Sequence, residues 1–598
     1  MASRGDTMTV TSSGLQISQR QLLAIMGGVM LGVLLSALDQ TVVGPALFKI
    51  VKDLQGLEHY AWVTTAYLLT STVTVPIVGK LSDLYGRKWF FVGGMVVFLI
   101  GSVLSGQASG TAIFSVGGVS ISGLTVGMAQ LIIFRALQGI GAGMILANAF
   151  AIIGDLVPPA QRGRWQGLFG GVWGLASVIG PTVGGYITDN VGWRWVFYVN
   201  VPVGAVALAV VIMTFPHLAP ASRGGRKIDW LGALTLVAAA MPILLGLSLG
   251  GTKDFPWDSQ KTIGFFALGA LMLLAFILVE WRASEPLLPL DLFKRPTFTL
   301  SMLTVFLVGV GMFGALINIP IFIQGVQGDT ATSSGNTITP MMLAMVAVSV
   351  VSGQIQSRTG KYRWLGIFGM VAIATGLFLL STMTVSTPRL QTVAYMVVMG
   401  MGLGIAMPLY TVIVQNAFPV QRMGVVTSAT TFFRSIGGTV GVAVLGTVVN
   451  NHFRSEYTAH LSPSLKANPQ FQSFLSNVSP QALVSPDTIT AIRTQLLATG
   501  QPLAVVNGIV TAIQAPIKGA LATSITQAFL IGAIVAVVAI IATAFIPEIP
   551  LRRSHDQPSM AMEGAGEALA VEEDVPAFSD VGATDAEPET AGSASGRA

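Results

Sequence analysis

The sequence predicts an all-α integral membrane protein of fourteen spans: two six-helix bundles with two further linker helices inserted between them. Three observations carry that prediction. Only 10% of the 598 residues are charged and 52% are hydrophobic, whereas soluble domains carry about a quarter charged residues. Fourteen apolar runs are long enough to cross a bilayer core, which takes about 20 residues over ~30 Å. Two glycine motifs also recur in the same order in the two halves of the chain.

The runs fall at roughly 22–44, 60–81, 89–108, 126–153, 164–187, 195–215, 230–250, 262–281, 298–324, 335–356, 364–384, 391–414, 424–449 and 522–546. Residues 1–20 are a polar N-terminal segment with no Ala-x-Ala cleavage site, so the first run reads as a retained helix. Residues 21–216 then form the first bundle, 217–296 the linker with spans 7 and 8, and 297–549 the second bundle. Residues 550–598 read as a disordered acidic cytoplasmic tail, and ten of the chain's 27 Asp and Glu residues lie after Ser554. An even number of spans puts both ends on one side. With those ends in the cytoplasm, the inner segments hold twenty Lys and Arg and the outer segments ten, the bias expected of an N-in chain. Arg135 and Arg434 lie within spans. A plasma-membrane location with both termini cytoplasmic is expected.

Two outer loops stand out. Residues 110–125 alternate apolar and small polar residues around Gly117-Gly118, the pattern of a short β-hairpin between spans 3 and 4. Residues 450–521 read as a soluble insert. Its amphipathic stretches near 487–498 and 503–517 are expected to lie over the outer surface.

The repeat is explicit. Ile179-Gly-Pro-Thr-Val-Gly184 in span 5 recurs as Ile436-Gly-Gly-Thr-Val-Gly441 in span 13. Gly79 and Gly86, with Arg87 and Lys88 after them, recur as Gly353 and Gly360, followed by Lys361 and Arg363. Both matches align if spans 1–6 and 9–14 are equivalent bundles. Parallel repeats about an axis along the membrane normal build two-bundle transporters, with the binding site between the bundles near the midplane.

Several chemistries are excluded. There is no cysteine, hence no disulfide, thiolate metal site or thiol nucleophile. The five histidines show no ligand spacing, and no Gly-x-x-x-x-Gly-Lys-[Ser/Thr] segment offers an ATP phosphate loop. No Ser/His/Asp grouping argues for an enzyme, and no cofactor is implied. Without its tail the body is basic, which fits anionic lipid at the bilayer surface rather than nucleic acid.

The charges inside apolar runs carry the functional reading. Asp39 is the only carboxylate deep in a span of the first bundle. An ionised Asp there costs ~2.5–3.5 kcal/mol on insertion scales, so its neighbours decide whether it is charged or neutral. From helical rise, Asp39 sits ~25 Å from the inner side and Arg135 ~13 Å from the outer side, close enough in depth to pair. Loosening of that pair would let Asp39 take a proton; a purely structural ion pair is the alternative. Tyr67, Gln138, Asn148, Asn318, Gln324, Tyr410, Gln415 and Arg434 are polar or amphipathic residues in apolar runs, and are candidates for a substrate cavity between the bundles. In the turn after span 2, Gly79, Asp83, Gly86, Arg87 and Lys88 form a charged latch. Asp155 at the end of span 4 is expected to meet Arg87, with Asp83 pairing or capping across the bundle interface. Ordinary interfacial salt bridges are the alternative.

These segments also carry a resemblance. The turn Gly79-Lys-Leu-Ser-Asp-Leu-Tyr-Gly-Arg-Lys resembles the loop signature between helices 2 and 3 of the major facilitator superfamily. Leu38-Asp39-Gln40-Thr41-Val42-Val43-Gly44-Pro45 resembles the helix 1 signature of its fourteen-helix drug:proton antiporters, with Gly44 where that pattern usually has Asn. Arg135-Ala-Leu-Gln138-Gly139-Ile-Gly141 and Gly174, Gly180, Pro181, Gly184 and Gly185 match its helix 4 and helix 5 motifs, the latter associated with antiport. The segment around Arg434 resembles its helix 13 signature. The resemblance implies a proton-coupled antiporter that exports hydrophobic or cationic small molecules by alternating access. Export of a lipid or endogenous metabolite, uptake by symport, and a receptor on the same scaffold are the rival readings. The expected partners are a small-molecule substrate, protons and the lipid bilayer, and a monomer is expected.

Overall fold

The computed structural model describes residues 9–10, 16–54, 60–109, 126–215, 228–251, 255–328, 331–460 and 502–551, together with residues 490, 493, 494 and 497. Fourteen of its helical segments are long and apolar enough to cross a membrane. Helix is the outcome because hydrocarbon offers no partner to a backbone N–H or C=O, so each segment must satisfy its own. A two-residue antiparallel pair, β1 (Thr9–Val10) with β2 (Gln16–Ile17), precedes them.

The first bundle comprises α1 (Gln19–Asp53), α2 (Tyr60–Tyr85), α3 (Arg87–Gln107), α4 (Val126–Leu156), α5 (Pro159–Asn190), α6 (Trp195–Tyr198) and α7 (Asn200–Thr214). The sixth span is thus broken at Val199 into α6 and α7. Within the bundle α4 packs on α2 and α3, and α1 on α5 and α7. The inserted pair is α8 (Trp230–Leu249) and α9 (Gln260–Arg282), which pack on each other. The second bundle comprises α10 (Pro296–Ile321), α11 (Ala331–Thr359), α12 (Arg363–Ser381), α13 (Arg389–Ala417), α14 (Met423–His460) and α15 (Leu503–Ala544). Here α10 packs on α14 and α15, α11 on α13, and α12 on α13 and α15. A π-helical turn, Phe322–Val326, follows α10 two residues after Pro320, whose missing N–H removes one bond of the regular ladder.

The sequence repeat is a repeat of packing. Gly180 and Gly184 of α5 lie against Thr41 and Val42 of α1, and Gly437 and Gly441 of α14 lie against Phe306 and Val310 of α10. Helices α1 and α10 open their respective bundles, so each motif joins the same pair of positions. A Cβ on any of these four glycines would meet the facing helix well inside contact distance. Small residues let the backbones approach, as membrane helices require in the absence of a hydrophobic drive between them. The turn glycines repeat as well. Gly86 has φ 100° and Gly360 φ 68°, backbone that L side chains rarely adopt.

The bundles meet along two seams, α5 with α11 and α2 with α14. In the first, Gly163, Gly167, Gly171 and Gly174 face Gly353, Ser349, Val346 and Met342 in antiparallel order. Beyond Gly174, α5 turns its glycines to α1 instead. The bundles therefore touch over the half of α5 nearest the Gly86 turn.

One expectation is corrected. Residues 503–517 do not lie over a surface; they are the first turns of α15, which runs unbroken to Ala544. Val506, Val510, Ile513 and Ile517 form a buried stripe, and the Tyr457 hydroxyl of the prolonged α14 donates to Ile513 O at 3.1 Å. An apolar stripe at helical spacing fits a partner helix as well as a bilayer surface, and here the continuation of α14 is that partner. The expected hairpin at 110–125, the tail from residue 552 onward and most of 487–498 lie outside the described residues.

Candidate functional site

Helix α4 runs through the middle of the first bundle because its glycines admit neighbours on two sides. Gly139 and Gly143 face the Tyr67 and Ser71 carbonyls of α2, and Gly141 faces the backbone of Phe98 on α3. Arg135 and Gln138, three residues apart, share the face directed at α1. Arg135 Nη1 donates to Asp39 Oδ2 at 2.6 Å and to Gln138 Oε1 at 2.7 Å, while Gln138 Nε2 donates to Asp39 Oδ1 at 2.8 Å. A third donor comes from α7, where Asn200 Nδ2 lies 2.9 Å from Asp39 Oδ1. The Arg135 guanidinium stands 4.4 Å from the Tyr67 ring centroid and 5.8 Å from that of Phe197. The Tyr67 hydroxyl reaches Ser36 Oγ at 3.3 Å.

Asp39, Gln138 and Asn200 are wholly buried and Arg135 is 1% exposed. The pair is therefore sealed inside the first bundle and does not open between the bundles. Burying two charges costs several kcal/mol per ion unless hydrogen bonds complete the pair. Three donors on one carboxylate and two aromatic faces on the guanidinium supply that completion.

A second cluster sits at the Gly86 turn. Arg87 pairs with both Asp83 and Asp155, and its Nη1 also donates to Ser82 Oγ at 3.1 Å. Asp83 in addition accepts from the backbone N–H groups of Gly424 at 3.0 Å and Val425 at 3.1 Å. Those are first-turn donors of α14, so a carboxylate of the first bundle caps a helix of the second, where unpaired N–H groups and the helix dipole favour an anion. Gly79 allows this approach, since a Cβ there would strike Ser428. Lys88 Nζ donates to the carbonyls of Ile212 at 3.1 Å and Phe215 at 2.7 Å, at the end of α7. Lys80 pairs with Glu285 at 2.7 Å, beyond the end of α9. Buried Arg162 donates to the carbonyls of Gly154 and Val157 and, at 3.3 Å, to Gln415 Oε1 of the second bundle.

The eight cavity candidates do not converge on one space. Tyr67 and Gln138 belong to the Asp39 cluster. Gln415 belongs to the closed seam, donating to Thr427 Oγ1 at 2.9 Å. Tyr410 is buried within the second bundle, 2.7 Å from Thr543 Oγ1. Asn148 and Asn318 donate to carbonyls of their own helices, Met144 and Gly314. Gln324 is exposed on the π-helical turn, and Arg434 is half-buried on α14. Of the helix 5 motif, Gly174 faces Met342 across the seam, Gly180 and Gly184 face α1, and Gly185 faces open space; Pro181 is exposed. Asn200, Ser102 and Arg162 escaped the sequence reading. Asn200 carries the same signal as the other candidates, an amide in an apolar run.

The profile of the Major Facilitator Superfamily matches residues 29–442. The multidrug transporter protein MdtP of Bacillus subtilis is 39% identical over 573 residues, covering 94% of this chain and 99% of its own. Multidrug resistance protein 3 of the same organism is 37% identical, covering 89% and 97%. Among solved structures, the proton:xylose symporter XylE with bound 6-bromo-6-deoxy-D-glucose aligns with a TM-score of 0.55 at 15% identity, over 88% of this chain and 96% of that one. The human organic anion transporter MFSD10 aligns with a TM-score of 0.51 at 14% identity, over 86% and 99%. At such identities the likeness is one of fold.

Proposed function

The chain belongs to the major facilitator superfamily, and from that premise we propose that it is a proton-coupled antiporter exporting hydrophobic or cationic small molecules. The observation that carries the proposal is the sealed Asp39–Arg135 pair, a titratable carboxylate held inside one bundle of a two-bundle transporter. Relatives named as multidrug transporters support export of such compounds.

Ionised Asp39 is held by Arg135, Gln138 and Asn200. A proton arriving on Asp39 removes the charge that Arg135 answers, and the guanidinium is freed to turn toward other acceptors. The tie between α1 and α4 weakens, and the bundle changes its packing against its partner. In this assignment the Gly86 turn faces the cytoplasm, with both termini on that side of the plasma membrane. The closed seam there makes the state an outward-facing one. Asp83 and Arg162, which reach Gly424, Val425 and Gln415 of the second bundle, hold it shut and must leave those partners for the inward-facing state, while Arg87 and Asp155 keep Asp83 in place from within the first bundle. The six-two-six boundaries follow the helix groups, and Arg434 is assigned to the cavity or gate of the second bundle.

The test is proton flux in proteoliposomes driven by a tetraphenylphosphonium gradient, wild type against Asp39→Asn. The wild type exchanges protons for the cation, and Asp39→Asn moves the cation without protons or not at all. Equal proton exchange by both proteins sinks the proposal.

A further inference from the structure

Asn200 is the first residue of α7, immediately after the break in the sixth span. Its Nδ2 donates to Asp39 Oδ1 at 2.9 Å and to Ser102 Oγ at 3.0 Å, and Ser102 Oγ donates onward to Phe197 O at 2.8 Å. Asn200 Oδ1 is buried and has no partner among the described residues. A side-chain amide carries a donor and an acceptor that exchange places by a half-turn of one torsion. The orientation observed is the one a carboxylate demands, because ionised Asp39 only accepts. It leaves a buried carbonyl oxygen orphaned, which is costly.

A proton on Asp39 reverses the demand. The new O–H needs an acceptor, whereas Arg135 Nη1 and Gln138 Nε2 present only donors. The charged and titratable side chains facing Asp39 are Arg135 from α4 and Tyr67 from α2, and the Tyr67 hydroxyl is engaged with Ser36. We propose that Asn200 is a positioning residue whose amide turns over when Asp39 takes a proton, setting Oδ1 on the carboxylic acid and relaying the change through Ser102 to the Phe197 carbonyl.

The relay follows from counting hydrogens. After the turn Ser102 Oγ faces Oδ1 in place of Nδ2, and two oxygens at that distance require a hydrogen between them. Ser102 has one, which it now gives to Phe197 O. Swinging it to Asn200 takes that hydrogen bond from the Phe197 carbonyl, which keeps its backbone partner, the Val199 N–H, at the break of the span. One proton is added to Asp39, no covalent bond is otherwise made or broken, and the two Nδ2 hydrogens give up Asp39 and Ser102 and take the place where Oδ1 stood without a partner. Protonation in α1 is thereby felt at the joint of the sixth span, whose Phe197 ring also flanks Arg135.

This inference rests on the reading of Asp39 as the proton carrier, and the test separates the two. Infrared difference spectra between alkaline and acidic pH are recorded on the full-length protein with asparagine labelled at its side-chain carbonyl carbon. Asn200→Leu and Asp39→Asn assign the bands, and Asn200→Ser replaces the first should it not fold. The expected result is a Asn200 carbonyl stretch that moves to lower wavenumber as the free oxygen gains a bond, in step with a new Asp39 carboxylic-acid band. An Asp39 band with a static Asn200 carbonyl overturns the inference and leaves proton coupling standing. If neither band responds to pH, both are wrong.

Discussion

Replacing Asp83 by Ala should open the seam between the bundles at the Gly86 turn. The carboxylate accepts from the backbone N–H groups of Gly424 and Val425 across the interface, and these bonds exist only while the bundles touch. When they part, water takes over, so each bond is worth a net ~0.5–1.5 kcal/mol. The charge at the first turn of α14 adds about 0.3–1 kcal/mol. Taking ~1 kcal/mol per bond, that is together ~2–3 kcal/mol, or about 30- to 140-fold in the ratio of closed to open molecules at 1.4 kcal/mol per decade. Asp83→Asn keeps an acceptor but loses the charge, and should fall between, at about tenfold. Because the chain has no cysteine, Tyr85→Cys and Arg358→Cys can carry spin labels without background; both positions are exposed, one in each bundle. Pulsed distance measurements then read the closed and open populations directly. Asp155→Asn is the control, since Asp155 meets Arg87 within the first bundle alone, and should change the ratio less than about threefold. A distribution unmoved by Asp83→Ala, or moved as far by Asp155→Asn, refutes the cap as the closing contact.

Three further outcomes are expected. Arg135→Met leaves Asp39 buried without its counter-ion and should cost ~3–5 kcal/mol; thermal melting in detergent should recover at least half of the loss when Asp39→Asn is added, and equal melting of single and double variants would contradict the pairing. Gly184→Ala should lower the melting temperature by the equivalent of ~1–3 kcal/mol through overpacking against Val42, whereas Gly185→Ala, which meets nothing, should melt like the wild type. Lys80→Met should change the spin-label ratio by less than about fivefold, because the Glu285 side chain is 45% exposed and such pairs contribute about 0–1 kcal/mol.

The residues legible in the sequence were those whose cost forces a single explanation. A lone Asp and a lone Arg in hydrocarbon must find each other, and helical rise brought Asp39 and Arg135 to compatible depths. Paired glycines at recurring spacing must face a close helix, and Gly180 and Gly184 do. Neutral amides were illegible for the converse reason. Asn148 and Asn318 donate to a carbonyl one turn back, Gln415 reaches across a seam, and Asn200 serves the acid; sequence alone separates none of these. Arg162 was hidden by its position near a span boundary, where a basic residue ordinarily snorkels to water. The extent of α15 was missed because an apolar stripe at helical period does not say what it lies against.

The placement of α8 distinguishes the two junctions between the bundles. Leu69 and Val73 of α2, Ile436 of α14, and Ala240 and Leu244 of α8 form one cluster, so the inserted pair stands outside the α2–α14 junction like a shutter, and Lys80 bolts its far end to the Gly86 turn. Among the described residues, neither α8 nor α9 packs closely on α5 or α11. One junction is therefore screened by a second layer of helix, while the other is closed by the direct contacts of Gly163, Gly167, Gly171 and Gly174 with α11.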